Sequence, residues 1–234
     1  MEALQGIFAV DKPVGISSMR AVAIVRRRAG GARTGHAGTL DPLASGVLVM
    51  ALGKATRQIE SLMATDKRYE TRIDLSAFTA TDDSEGPRTE VLPASGAPRL
   101  DAIERLLAER FTGTVLQRPP AYSAMKVGGR RAYALARGGK APELAPRPVQ
   151  VHAIAVTSYA WPMLGLDIRC GKGTYVRSIA RELGQALGTG GHCTAIRRTA
   201  VGAFAVEGAV PVDALPDRIT QEWLDARRAP PGAR

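Results

Sequence analysis

Cysteine, aromatic residues and long apolar runs are all scarce in this chain, and each shortage narrows what it can be. Cys170 and Cys193 are the only two cysteines in 234 residues. Two thiols are too few for a cysteine-rich metal site, and MEALQGIFAVDKP lacks the basic leader and apolar core of a secretion signal, so a structural disulfide is not expected. Both are expected as small core residues. Apolar runs fall well short of the roughly 18 residues a membrane helix needs, so the expectation is a cytoplasmic protein with no membrane partner. Aromatics make up 5% of the residues against 45% hydrophobic overall, so the core must be aliphatic, with enough of it for one substantial domain. Acid is in deficit too: 22 Asp and Glu stand against 32 Lys and Arg, a formal charge of +10. Such a balance points to a polyanionic partner, nucleic acid first.

Pattern supplies the elements. GIFAV (6–10) reads as a short buried strand, and Ser17-Ser18 as the cap of a basic amphipathic helix over 18–29. Val22 and Val25 lie on its apolar face, Arg20, Arg26, Arg27 and Arg28 on the other, and Gly30-Gly31 ends it. Residues 31–46 read as a glycine-punctuated loop and GVLVMAL (46–52) as a buried strand. Alternation at Tyr69, Thr71, Ile73 and Leu75 predicts a half-exposed strand, 76–99 a polar loop, and Leu100 to Phe111 a second helix. The stretch 117–148, rich in Pro, Gly, Lys and Arg, reads as a basic excursion able to clamp RNA. VQVHAIAV (149–156) and LGLDIRC (164–170) follow as strands, then a helix over 176–187 closed by Gly188. Strands and helices without strict βαβ alternation predict an α+β fold on a mixed sheet. APPGAR at the end reads as frayed.

Chemistry concentrates in GHAGTLDPLASG (35–46). A single carboxylate, Asp41, sits in a loop bracketed by glycines and followed by proline, which biases it towards extended backbone. Such a loop can project a carboxylate into a cleft, although an isolated Asp-Pro is also an ordinary turn. Other constellations are weaker. Ser123-x-x-Lys126 lacks the companion elements of a penicillin-binding enzyme, and Gly171-Lys172-Gly173 lacks the rest of a phosphate loop. His36, His192, Cys170 and Cys193 show neither helical His spacing nor Cys-x-x-Cys spacing, so no metal is expected.

The twelve-residue stretch resembles the catalytic motif of the TruB family of pseudouridine synthases. The resemblance runs on, in order, through DKPVGISS (11–18), DKRY (66–69), TATDDSEG (79–86), PPAYSAMK (119–126), CGKGTYVR (170–177) and GGHCTAIRRTAVG (190–202). It implies a pseudouridine synthase fold with a mixed, largely antiparallel central sheet flanked by helices. It further implies isomerisation of the T-loop uridine of tRNA by a monomer that needs no cofactor and no metal. Residue by residue, Asp41 matches the catalytic aspartate, Tyr69 the tyrosine that stacks on the target base, and Arg177 the arginine that pairs with the aspartate. Lys12, Tyr175 and Ile196 match positions at the active-site pocket, and His36 the histidine that enters the RNA stack where the base was. Lys126, Arg197 and Arg198 are further candidates for the tRNA T-stem-loop. The expected organisation is a catalytic domain over 1–215 with the basic insertion at about 119–148, then a tail over 216–234 without the PUA domain that many relatives carry.

Overall fold

GIFAVDK and ASGVLVMAL are apolar on nearly every residue and bounded by turn formers, so each can be buried only as a strand covered on both faces. The computed structural model describes residues 4–227 except 95, 124, 139–141 and 143. In chain order the elements are β1 (Gly6–Lys12), α1 (Ser18–Arg28), β2 (Thr34–His36), β3 (Ala44–Leu52), α2 (Ile59–Ala64), β4 (Lys67–Asp74), β5 (Ala77–Thr79) and β6 (Arg88–Glu90). Then come α3 (Leu100–Arg110), β7 (Gly113–Gln117), β8 (Lys126–Val127), β9 (Arg130–Arg131), α4 (Ala132–Arg137), β10 (Arg147–Ala160) and β11 (Met163–Cys170). The remainder are α5 (Val176–Leu187), β12 (His192–Val201), β13 (Phe204–Ala205), β14 (Val210–Pro211) and α6 (Gln221–Asp225). The fold is α+β on a mixed, mostly antiparallel sheet, as expected.

Two compact units divide the chain, one of residues 1–68 with 197–234 and the other of residues 69–196. In the first, the strand order is β14-β1-β3 followed by the C-terminal half of β12. β1 and β3 are antiparallel, with Val10 opposite Leu48, and β14 joins β1 in parallel. α1 forms because Ser17 accepts a hydrogen bond from the Arg20 amide while Ala21, Val22 and Val25 turn inward. Past its end the Gly31 amide bonds back to the Arg26 carbonyl. Packing continues beyond residue 215: Leu224 of α6 is buried, and the Trp223 ring meets Phe8 edge-on at 5.2 Å. Expectations for residues 229–234 fall outside the described residues.

In the second unit the order is the N-terminal half of β12, then β4-β11-β10-β7. α5 buries Val176, Ile179, Ala180 and Leu183 and ends at Gly188 with φ +68. Besides β2, a strand inside the expected loop 31–46, the following features depart from the sequence expectations. The polar stretch 76–99 contains the β5–β6 hairpin, with Phe78 opposite Thr89. The excursion 117–148 contains the β8–β9 hairpin and α4, in which Ala132 and Ala136 are buried, so it carries structure of its own. β10 runs to Ala160, four residues past the expected end. β12 was not anticipated at all, because His192 and Arg198 occupy buried positions and mask the apolar alternation a strand shows.

Candidate active site

The Asp41 loop is gripped at consecutive residues. Ser18, buried at the start of α1, donates its hydroxyl to the Leu40 carbonyl at 2.9 Å and accepts from the Leu40 amide at 2.8 Å. The Asp41 carbonyl takes the Ala44 amide at 3.1 Å, and the Pro42 carbonyl takes the Gly15 amide at 2.8 Å. Ahead of these, the Ala37 amide bonds to the Val49 carbonyl. Gly46 closes the loop at φ +101, where an added Cβ would stand 2.2 Å from the Arg198 carbonyl oxygen. No other residue fits there. The half-buried Asp41 side chain therefore rides on a backbone fixed on both sides, as a preorganised group requires.

Cations and an imidazole surround that loop. Lys12 is wholly buried and donates Nζ to the Pro13 and Ile16 carbonyls, each at 2.8 Å. Burial pulls its pKa down to about 8, the Asp41 carboxylate opposes that fall, and the charge on Arg198 adds to it. His36, at the end of β2, is held below the ordinary histidine value by burial first and by Arg198 second, with a backbone bond at Gly38 opposing. It is accordingly a neutral ring at pH 7, and its Nδ1 is buried with no hydrogen-bond partner among the described residues. Arg197 forms an ion pair with Asp11 at 2.7 Å.

Arg198 was expected as a phosphate contact. Instead it is 1% exposed, and its guanidinium donates to the Val47 carbonyl at 2.7 Å, Gly38 at 3.0 Å and Thr39 at 3.5 Å. A buried fork satisfied by backbone oxygens has no face to offer RNA. Arg28 is similarly diverted from the basic face of α1, bonding to the Leu215 carbonyl and to Asp217.

In the second unit the candidate residues are ordered by separate contacts. Tyr69 is half-buried on β4, and Ile196 is buried on β12. Arg177, expected to pair with the aspartate, sits in the first turn of α5 with 4% side-chain exposure and forms an ion pair with the equally buried Asp83 at 3.3 Å. It also donates to the Thr81 and Tyr122 carbonyls at 2.8 and 2.9 Å. The TATDDSEG segment is thus anchored to α5, a link strengthened by Arg181 bonding to the neighbouring Asp82. Burial raises the Asp82 pKa while Arg181 and Arg177 oppose it. Tyr175 precedes α5, and its amide and carbonyl are both taken by the side chain of buried Gln117, at 2.8 and 3.0 Å. The Arg147 guanidinium lies 5.4 Å over the Tyr175 ring. The Lys126 side chain lies outside the described residues.

Sequence reasoning missed Gln117 and Asp83, and read Ser18 as part of a helix cap rather than as the brace of Leu40. DKPVGISS and the paired aspartates in TATDDSEG offered the signals for Ser18 and Asp83. Cys170 and Cys193 are buried free thiols, and burial pushes that of Cys193 up to about 12. His192 Nδ1 is taken by the Ala77 carbonyl. No cluster of three or more His, Cys, Asp or Glu able to hold a metal occurs among the described residues. None of the described helices is long and apolar enough to cross a membrane.

This arrangement presents one carboxylate, Asp41, on a loop braced by Ser18 and Gly15. A carboxylate so held is suited to nucleophilic attack or proton removal. Residues 26–176 match the N-terminal domain of the TruB family pseudouridylate synthases. The chain belongs to the TruB family. Residues 177–228 match the C-terminal domain of tRNA pseudouridylate synthase B, the two matches meeting at the start of α5. The chain is similar to the tRNA pseudouridine synthase B of Burkholderia mallei (strain NCTC 10247), with 43% identity over 97% of this chain and 74% of that protein. For the namesake of Thermobifida fusca (strain YX) the identity is 46%, over 92% of this chain and 75% of that one. Among solved structures, a chain of a Cbf5-Nop10-Gar1 complex superposes with a TM-score of 0.69 at 30% identity. That likeness covers 89% of this TruB family chain and about half, 54%, of the Cbf5 complex chain.

Proposed function

We propose that this TruB family member is a tRNA pseudouridine synthase that isomerises the T-loop uridine, with Asp41 as the acting carboxylate and no cofactor. The observation that carries the reading is the braced loop: the residues on either side of Asp41 are tied from outside it, Leu40 by Ser18 and Pro42 by Gly15, which a reactive carboxylate needs and a plain turn does not. The reaction breaks N1–C1′, turns the uracil and joins C5 to C1′. C5 loses a proton and N1 gains one, so composition is unchanged and no redox partner is required. Asp41 supplies the anion, at the sugar or at the base.

Flipping the uridine out of a folded T-loop costs a few kcal/mol, on the order expected for unstacking one base. The neutral His36 ring is suited to fill the vacated stack, and Tyr69 to cover the extruded uracil. Arg20, Arg26 and Arg27, exposed on α1, supply charge for phosphates. The 43–46% identity to enzymes named for tRNA, against 30% to the chain of the Cbf5-Nop10-Gar1 complex, favours tRNA as the substrate. On this reading the enzyme works as a monomer in the cytoplasm on the T-stem-loop.

The test is to incubate unmodified tRNA with the protein and map carbodiimide adducts by reverse-transcription stops. A new stop at the T-loop uridine, lost when that uridine is replaced by cytidine, is the expected result. Stops elsewhere would assign a different substrate site, and no stop would remove the activity.

A further inference from the structure

Among the described residues Arg198 is the largest side chain buried to below 2% exposure, and nothing in its chemistry requires it to be inside. A leucine or methionine at that strand position would avoid desolvating a charge. What it gains is reach. Nη2 and Nη1 hold the Gly38 and Thr39 carbonyls, three and two residues before Asp41, while Nε holds Val47, six residues after it. One rigid plane therefore fixes both ends of the loop, and the main chain of Arg198 lies where only Gly46 lets the loop pass. Arg198 also raises the local positive potential at Lys12 and at His36.

We propose that Arg198 is a positioning residue for Asp41, setting the span of the loop on which the carboxylate rides by bridging Gly38, Thr39 and Val47. This rests on the reading of Asp41 as the acting carboxylate. Ser18 holds the loop at one residue, whereas Arg198 holds its two ends at once. Lysine keeps the charge of Arg198 but cannot reach three carbonyls in one plane.

The experiment compares Arg198→Lys, Arg198→Met and Asp41→Asn in the full chain, reading tRNA affinity, single-turnover pseudouridine formation and thermal unfolding. For both Arg198 variants the single-turnover rate is expected to fall about 10²-fold, as for a reacting group displaced by about 1 Å, with affinity within about threefold of wild type. Lysine is expected to restore the melting temperature better than it restores the rate. A folded Arg198 variant that keeps its turnover within about threefold overturns the proposal. Should neither variant fold, Gly38→Ala decides. Its φ of +95 is one that alanine rarely adopts, so the substitution would draw the Gly38 carbonyl from Arg198 without altering the arginine, while the new methyl, 3.6 Å from Nη1, makes only an ordinary contact. The same split is expected there, and full turnover by folded Gly38→Ala overturns the proposal. Turnover retained by Asp41→Asn would instead remove the reading beneath it.

Discussion

Two adjacent serines with opposite surroundings give the most discriminating prediction of stability. Ser17 is exposed and caps α1 through the Arg20 amide at 3.1 Å, whereas Ser18 is 2% exposed and satisfies both backbone groups of the buried Leu40. Ser17→Ala removes one exposed cap and should cost about 1 kcal/mol. Ser18→Ala strips a donor and an acceptor in the interior, at about 1–3 kcal/mol each, for a total of about 2–6 kcal/mol. In a chain of 234 residues, at about 2–4 °C per kcal/mol, that larger loss corresponds to a fall in Tm of roughly 4–24 °C. The assay is urea unfolding of both variants beside wild type, with the slope m checked so that a shift in midpoint reports stability alone. Equal losses at the two serines, or a loss below about 0.5 kcal/mol at Ser18, would refute the claim that Ser18 holds the Asp41 loop.

Arg177→Met leaves the Asp83 carboxylate buried without the partner that stands 3.3 Å away, and should destabilise by about 3–5 kcal/mol in chemical unfolding. Adding Asp83→Asn should recover part of that loss. Lys12 titrates at about 8 when folded against 10.5 when unfolded, so the unfolded chain binds more protons between those values and stability rises with pH across that window. Below pH 8 its full penalty applies, on the order of 3 kcal/mol; Lys12→Met should lose this rise in unfolding measured from pH 7 to 11, and an unchanged slope would contradict it. Leu224→Ala should cost about 2–5 kcal/mol because α6 is part of the core.

Strong periodicity made some of this protein legible from its sequence. Val22 and Val25 on α1, Ile179 and Leu183 on α5, and the continuous apolar run of β3 carry one message at every level, and their positions match the structure. β12 failed because its buried positions include His192 and Arg198, and a cation pointing inward looks like a surface residue until its carbonyl partners are seen. The β5–β6 hairpin failed because Thr, Asp, Gly and Pro signal a turn equally well when they flank short strands. The Asp41 loop could be read from its motif and its glycines, but the residues that brace it could not. Ser18 lies 22 positions from Leu40, and Arg198 lies 160 from Gly38, distances over which sequence carries no pairing signal without the fold. Arg177 belongs to the same class, since Asp83 is linked to it only once α5 has formed.

The most direct measurement is tritium release from unmodified tRNA labelled at uridine C5, comparing wild type with Asp41→Ala at matched RNA occupancy. Release by the wild type and none by Asp41→Ala is the expected result. Binding of tRNA by both without release, or equal release by both, would contradict the assignment of Asp41 as the carboxylate that drives isomerisation.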